Sequence, residues 1–342
     1  MSGKVSVIIP SYNRKELLGR CLRSVRKQDY QNTEVIVIDD GSTDGTGHYL
    51  KDAFPEVKIL RNNESLGPAY AKNQGIMNSD GQYLYFLDSD SELILADTIS
   101  VMVSTTENDD KTGTLGGIAE WEGAGNVRGA YGRKVTWDGR SYPVFQEAEH
   151  ISDANGLMPC DYVETCNCFV RREVAVKAGG FDPYYFYMGE DKEFGLRIMN
   201  LGYRHYFGVS IACRHHYDET VCFDRCTRYL RTKMRFAIKN KGAWFGIIMP
   251  LLDSYLFLIF YPVMSLINWL RRRFTGVNLV RNNGNPNMRP SIARALSVLL
   301  LYLPRVFWWN WQELLVTLRS RQVDFLSEGS MREYERARSG LT

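Results

Sequence analysis

Between residues 3 and 90, four short apolar runs each close in a polar, tight-turn segment, and helical patterns separate them. Val5–Ile9 runs into Pro10-Ser11-Tyr12-Asn13, and Glu34–Ile38 into Asp39-Asp40-Gly41-Ser42-Thr43-Asp44-Gly45. Val57–Leu60 leads to a loop through Gly67, and Tyr83–Leu87 to Asp88-Ser89-Asp90. The intervening segments read as helices. Asn13 with Glu16 forms a capping box before Leu17, Leu18, Cys21, Leu22 and Val25 on one face, a second helix runs to about Phe54, and a third spans Pro68–Asn78. Strand and helix alternating this closely predict an α/β fold, a Rossmann-like, mostly parallel sheet flanked by helices with right-handed crossovers. In such sheets ligands bind at the carboxyl ends of the strands, where this chain places its polar turns.

Residues 91–160 have weaker periodicity and read as a partly extended insertion carrying the acceptor side of the site. A strand over Tyr162–Arg171 and a helix over Arg172–Ala178 follow, ending at Gly179-Gly180. Then come Phe181-Asp182-Pro183, the aromatic segment Tyr184–Tyr187, Gly189-Glu190-Asp191 and a helix over Lys192–Leu201.

Two carboxylate pairs stand at strand ends of one sheet. Asp, Asn, Ser and Gly also build ordinary turns, but closely spaced carboxylates repel unless a cation or a hydrogen-bond donor lies between them. A cation or a donor is therefore expected between Asp88 and Asp90, and for a divalent cation oxygen ligands favour Mg²⁺ or Mn²⁺ over zinc. Glu190 and Asp191 at a helix start form a second acidic group, where the helix N-terminus favours the ionised form that a general base needs. Capping of the helix is their alternative role. The rings of Tyr184, Tyr185, Phe186 and Tyr187 offer an apolar platform beside these acids, with a buried aromatic cluster as the alternative. Arg197 stands where it could steady the acidic group or a leaving phosphate.

With these residues in order, the chain resembles an inverting family 2 glycosyltransferase of the GT-A fold. The matching segments are Val7–Asn13, Val37–Asp44, the DxD triplet Asp88-Ser89-Asp90, and Gly179-Gly180-Phe181-Asp182 with Gly189-Glu190-Asp191, covering about residues 3–216. The resemblance implies a nucleotide-sugar donor held by Pro10, Tyr12, Asn13, Asp39, Asp40, Gly67 and Asp88, with Asp39 accepting from a base N–H. It implies Asp90 as the direct metal ligand, Asp88 nearer the ribose, and a histidine beside the diphosphate. His215 and His216 both stand near the family position, and which one faces the metal is open. Asp191 is the implied general base, and Glu190, Tyr184, Tyr185 and Tyr187 the implied acceptor contacts.

Charge divides the chain. Residues 1–224 hold 23 basic and 33 acidic side chains, residues 225–342 hold 19 and 6, and five of seven tryptophans lie in the second part. We expect a catalytic domain over 1–224 and a basic, amphipathic helical, membrane-association region over 225–342. Apolar stretches at Trp244–Leu270 and Ala293–Leu318 flank a loop with Arg271, Arg272, Arg273, Arg281 and Arg289 and no acid. Two crossings would put those arginines outside, against the positive-inside preference, so helices lying in the interface of an anionic membrane fit better. A homo-oligomer interface or a helical lid is the alternative. Met1–Lys4 runs directly into the first strand, which predicts a site on the cytoplasmic face of the membrane. Seven cysteines without a CxxC pair suit reduced thiols, and Cys213, His215, His216, Cys222 and Cys226 depart from the familiar zinc spacings.

The expected activity is transfer of a sugar to a lipid-linked, polyprenyl-linked or other cell-surface glycan acceptor, with a soluble or growing polysaccharide as the alternative acceptor. A silent nucleotide-binding protein would have no need of a metal pair and a base together. Nucleic acid is not an expected partner, because the aromatics of the basic part stand in apolar blocks and not between cations.

Overall fold

A computed structural model of the chain describes residues 3–121, 128–130, 132–136, 141–144, 156–185, 188–216, 235–236, 239–240, 317 and 324–339. The chain divides into two compact units, residues 1–220 with 322–342, and residues 221–321. The last residues, which the charge division groups with the basic region, thus belong to the first unit. Both apolar stretches and the arginine loop lie outside the described residues. No described helix is long and apolar enough to cross a membrane. In the second unit, buried Arg235 donates to Thr317 Oγ1 at 3.3 Å.

The first unit begins with β1 (Val5–Ser11), α1 (Lys15–Arg26), β2 (Thr33–Asp39), α2 (Thr46–Ala53), β3 (Lys58–Arg61), α3 (Pro68–Met77) and β4 (Tyr83–Leu87). It continues through β5 (Ser91–Leu93), α4 (Thr98–Glu107), β6 (Thr112–Trp121), β7 (Arg128–Ala130), β8 (Gly132–Val135), β9 (Ser141–Pro143), β10 (Leu157–Cys160), β11 (Tyr162–Val163) and β12 (Asn167–Arg171). α5 (Arg172–Lys177), a 3₁₀ turn at Pro183–Tyr185, α6 (Glu190–Asn200), β13 (Arg204–His215) and α7 (Glu328–Ser339) complete it.

The main sheet runs β10-β13-β6-β12-β4-β1-β2-β3, with β5 on β13 and β7 on β6, while β11, β8 and β9 form a small second sheet. β1 pairs in parallel with both β2 and β4, and β2 with β3. β12 runs antiparallel to β4 and β6. The chain steps outward through β2 and β3, then returns to place β4 on the other side of β1, so the strand order reverses at β1. That reversal opens a crevice at the carboxyl ends of the strands, bounded by Ser11, Asp39 and Leu87. Helices cover the parallel part, which buries Val7, Ile8, Ile9, Ile36, Val37, Ile38, Leu84, Tyr85 and Phe86 completely and explains their unbroken apolar runs. α3 approaches β1 closely at Gly75, where a Cβ would stand 2.3 Å from Ile8 Cγ2.

Three local expectations give way to tertiary contacts. Asn13 does not cap α1, whose preceding residue is Arg14 without a side-chain cap. Asn13 instead takes φ +50° and accepts from Thr43 N at 2.8 Å, and Lys15 N finds Asp44 Oδ2 at 3.0 Å. The β2–α2 turn therefore satisfies the helix end that a local box would otherwise serve. Residues 91–160 are more than an insertion: β5, α4 and β6 lie within the main body of the unit, and β6 sits between β12 and β13. Ile99, Met102, Val103 and Thr106 of α4 repeat at helical spacing, yet its β-branched composition weakens the local helix signal. The strand expected over Tyr162–Arg171 is two strands, β11 and β12, split at Glu164-Thr165-Cys166.

Candidate active site

One long-range pairing assembles an acidic and imidazole group at the strand ends. β5 follows Asp90 immediately and pairs antiparallel with the end of β13, placing His215 opposite Ser91. One ligand atom from each of Asp88, Asp90 and His215 lies within 4.8 Å of the others, the only such group among the described residues. His215 Nε2 stands 3.2 Å from Asp90 Oδ1. His216 turns to Glu92, with Nε2 3.3 Å from Oε2. Of the adjacent histidines it is His215 that lies with the carboxylates, as expected where successive residues at a strand end face opposite sides. Burial lowers the His215 pKa and outweighs the raising effect of Asp88, which keeps a neutral imidazole available as a ligand. Two carboxylates and one neutral imidazole at this spacing suit a Mn²⁺ or Mg²⁺ ion. The other Asp90 oxygen, Oδ2, is ion-paired to Arg14.

The nucleotide-side residues line the same strand ends. Tyr12 is 49% exposed and Pro10 half-buried. Asp39 is fully buried, accepting from Ser42 N at 2.9 Å and from Arg61 at 2.5 Å. Asp40 organises the loop after β3: Oδ1 accepts from Asn62 Nδ2 at 2.7 Å and Leu66 N at 3.0 Å, and Oδ2 from Ser65 Oγ at 2.8 Å and Gly67 N at 2.9 Å. Four bonds saturate this carboxylate, so its geometry serves the loop and not a ligand. Gly67 has φ +93°, a conformation L side chains rarely adopt, and it delivers the chain into α3.

Across the crevice, α6 begins at Glu190, two residues before the expected start, so Glu190 and Asp191 occupy its first turn. Lys72 of α3 is buried and lies 3.2 Å from both Glu190 Oε1 and Asp191 Oδ1. It also donates to Thr165 Oγ1, which donates in turn to Asp191 Oδ1. Asp191 meets both Lys72 and Thr165 through Oδ1, while Glu190 Oε2 is buried without a hydrogen bond from the described residues. Burial works against the charge on Lys72, but Asp191, Glu190 and Asp88 more than reverse this and hold its pKa above normal. Burial and the Asp191 charge push Glu190 up to about 7, against the opposing pull of Lys72. One ammonium cannot neutralise a buried and a part-buried carboxylate together, so Lys72 keeps its charge and the more buried Glu190 is the group that takes a proton.

Lys72, Thr165 and Arg14 were not among the expected site residues. The legible signal for Lys72 is a cation set among Ala69, Ala71, Asn73 and Ile76, all buried on a short helix. Arg197 is paired with neither Glu190 nor Asp191. It donates to the Ala178 and Gly180 carbonyls and to Glu193, fastening the end of α5. Of the aromatic segment, Tyr185 is 3% exposed, as the buried alternative has it, and Tyr184 is half-buried against Tyr334. Phe186 and Tyr187 lie outside the described residues.

Residues 6–174 match the family model described as Glycosyl transferase family 2. Glycosyltransferase AglE of Haloferax volcanii is 34% identical over 206 residues, covering 58% of this chain and 62% of AglE. A GalNAc(5)-diNAcBac-PP-undecaprenol beta-1,3-glucosyltransferase of Campylobacter jejuni is 35% identical over 108 residues, covering 30% of this chain and 35% of its own. The matches thus span less than two thirds of these relatives. The structure resembles a mannosyltransferase from Pyrobaculum calidifontis solved with GDP-Man and Mn²⁺, with a TM-score of 0.53 and 18% identity over 93% of this chain and 86% of that one. This likeness shows a GT-A-like α/β fold.

Proposed function

The chain belongs to glycosyl transferase family 2, and we propose that it moves a sugar with inversion from a nucleotide-diphosphate donor to a hydroxyl of a lipid-linked or cell-surface glycan. The observation that carries the reading is the Asp88, Asp90 and His215 group beyond β4 together with the Lys72-anchored Asp191, the charge of Asp88 acting on the same Lys72.

Asp88, Asp90 and His215 would hold a divalent cation, whose charge offsets that of the diphosphate. Tyr12 and Pro10 stand at the nucleotide side, and Asp39, fixed by Ser42 and Arg61, lies beneath the base pocket. Lys72 and Thr165 both bind Asp191 through Oδ1, leaving Oδ2 to take the proton of the acceptor hydroxyl. As that proton leaves, the hydroxyl oxygen forms its bond to the anomeric carbon from the face opposite the diphosphate. The bond from that carbon to the diphosphate oxygen breaks, and its electron pair departs with the nucleotide. Lys72 orients Asp191 and offsets charge without touching the reacting atoms.

A lipid-linked acceptor is supported by the polyprenyl-linked substrate in the name of the Campylobacter jejuni relative and by the basic, Trp-rich composition of residues 225–342. We place the enzyme on the cytoplasmic face of a membrane, attached by that region. The test is a thermal-shift panel of UDP-, GDP-, dTDP- and CMP-sugars with and without Mn²⁺. One donor class should raise the melting temperature only with the metal, since a ligand at a hundredfold excess over Kd adds about 2.7 kcal/mol. No shift with any donor counts against the reading.

A further inference from the structure

The C-terminal helix α7 comes from the far end of the chain and settles on two parts of the crevice at once. Tyr334 Oη donates to Leu66 O at 2.9 Å, and Arg338 Nε to Ser65 O at 3.1 Å. Both carbonyls belong to the loop that Asp40 organises through Ser65, Leu66 and Gly67. The Tyr334 ring stacks on Tyr70 at 5.6 Å and 27°, and Tyr70 hydrogen-bonds Glu335. On its other side the same ring meets Tyr184 edge-on, at 5.2 Å and 86°. Leu66, Tyr70, Met331 and Tyr334 form an apolar cluster separate from the main core, with Tyr184 packed against it. The segment before the helix is anchored where the turn to Tyr184 begins, with Phe325 N on Gly179 O at 2.8 Å.

Resting on the glycosyltransferase reading, we propose that Tyr334 is a positioning residue that ties the donor-side loop Asn62–Gly67 to the acceptor-side Tyr184. Its hydroxyl fixes the loop and its ring fixes Tyr184. A buried phenol that loses its hydroxyl leaves the Leu66 carbonyl without its partner and frees the loop, whereas a residue that loses the ring frees both sides. Burial raises the Tyr334 pKa to about 12, so the hydroxyl keeps its proton and remains a donor throughout the working range.

Three variants of the full chain separate these roles: Tyr334→Phe, Tyr334→Leu and Arg338→Gln. Binding of UDP and GDP with Mn²⁺ is measured by calorimetry, and turnover as release of nucleoside diphosphate from the donor sugar at saturation. Tyr334→Phe should weaken binding of the accepted nucleotide by roughly 3–10-fold while leaving saturated turnover close to wild type. Tyr334→Leu should weaken binding similarly and also lower saturated turnover, because Tyr184 loses its support. Arg338→Gln removes the bond to Ser65 O and the contact that Arg338 makes with the Tyr334 hydroxyl while leaving the ring in place, and should reproduce the Phe effect should Tyr334→Phe fail to fold. A wild type that binds nucleotide, with Tyr334→Phe and Arg338→Gln binding equally well, overturns the proposal alone. A wild type that binds neither nucleotide with Mn²⁺ overturns the functional reading and this proposal with it.

Discussion

Lys72 Nζ stands 3.2 Å from Asp191 Oδ1 and the same distance from Glu190 Oε1, so one buried ammonium joins the third helix to both acids of the sixth. Replacing it by Met keeps length and apolar volume but leaves the buried Glu190 and the part-buried Asp191 without their shared cation. Removing one partner of a buried ion pair costs about 3–5 kcal/mol, so Lys72→Met should unfold at markedly lower denaturant than wild type. Lys72→Arg keeps the charge and should recover part of that loss. Chemical denaturation measures both, and a Met variant as stable as wild type would show that the pair contributes little.

Asp90 and Asp191 should fail in different ways. Asp90→Ala takes a carboxylate from the Asp88, Asp90 and His215 group and should abolish Mn²⁺-dependent binding of nucleotide and, with it, transfer. Asp191→Asn keeps the contact to Lys72 through its amide oxygen but cannot take a proton. Nucleotide affinity should therefore persist while turnover falls roughly 10²–10⁴-fold. Calorimetry paired with a turnover assay distinguishes the two, and near-normal turnover in Asp191→Asn would shift the base to another residue.

Glu190 makes stability depend on pH in a defined direction. Its pKa rises from an ordinary 4.5 to about 7 in the folded protein, through burial first and the Asp191 charge second. Between those values the folded state holds more protons than the unfolded state, so this group's stabilising contribution is complete below about 4.5 and is lost as pH rises through about 7. Glu190→Gln cannot titrate and should remove that decline. Melting temperatures of the two proteins at half-unit steps from pH 4.5 to 7.5 test this, and parallel curves would place the proton elsewhere.

The basic region should bind anionic lipid through its arginines. Substituting Arg271, Arg272 and Arg273 together by Gln removes three cations at about 1 kcal/mol each, so affinity for vesicles rich in phosphatidylserine should fall by roughly two orders of magnitude. Vesicles of neutral lipid should show no difference, and salt should weaken wild-type binding more than that of the triple variant. Co-sedimentation at several salt concentrations measures the effect. Equal binding by both proteins would assign the region to oligomerisation.

The alternating strands and helices of residues 3–90, their polar ends, and the position of Asp88, Asp90 and Asp191 along the chain were all legible in the sequence. Local causes explain this: buried parallel strands need unbroken apolar runs, crossover helices need an apolar face, and strand ends need turn residues. Only the tertiary structure decided what comes together across long separations. Whether His215 or His216 joins Asp90 depended on the register of β5 against β13. Whether Asn13 caps its own helix depended on a competing bond from Thr43, thirty residues on. Lys72 became part of the site because α3 packs where α6 delivers its two acids and Thr165 its hydroxyl. Two of the bonds that join the C-terminal helix to the first unit go to carbonyls of Ser65 and Leu66, which carry no side-chain signature at all. A backbone acceptor is the same in every residue, so sequence alone names the groups able to donate, and only the packed chain selects the carbonyl each one meets.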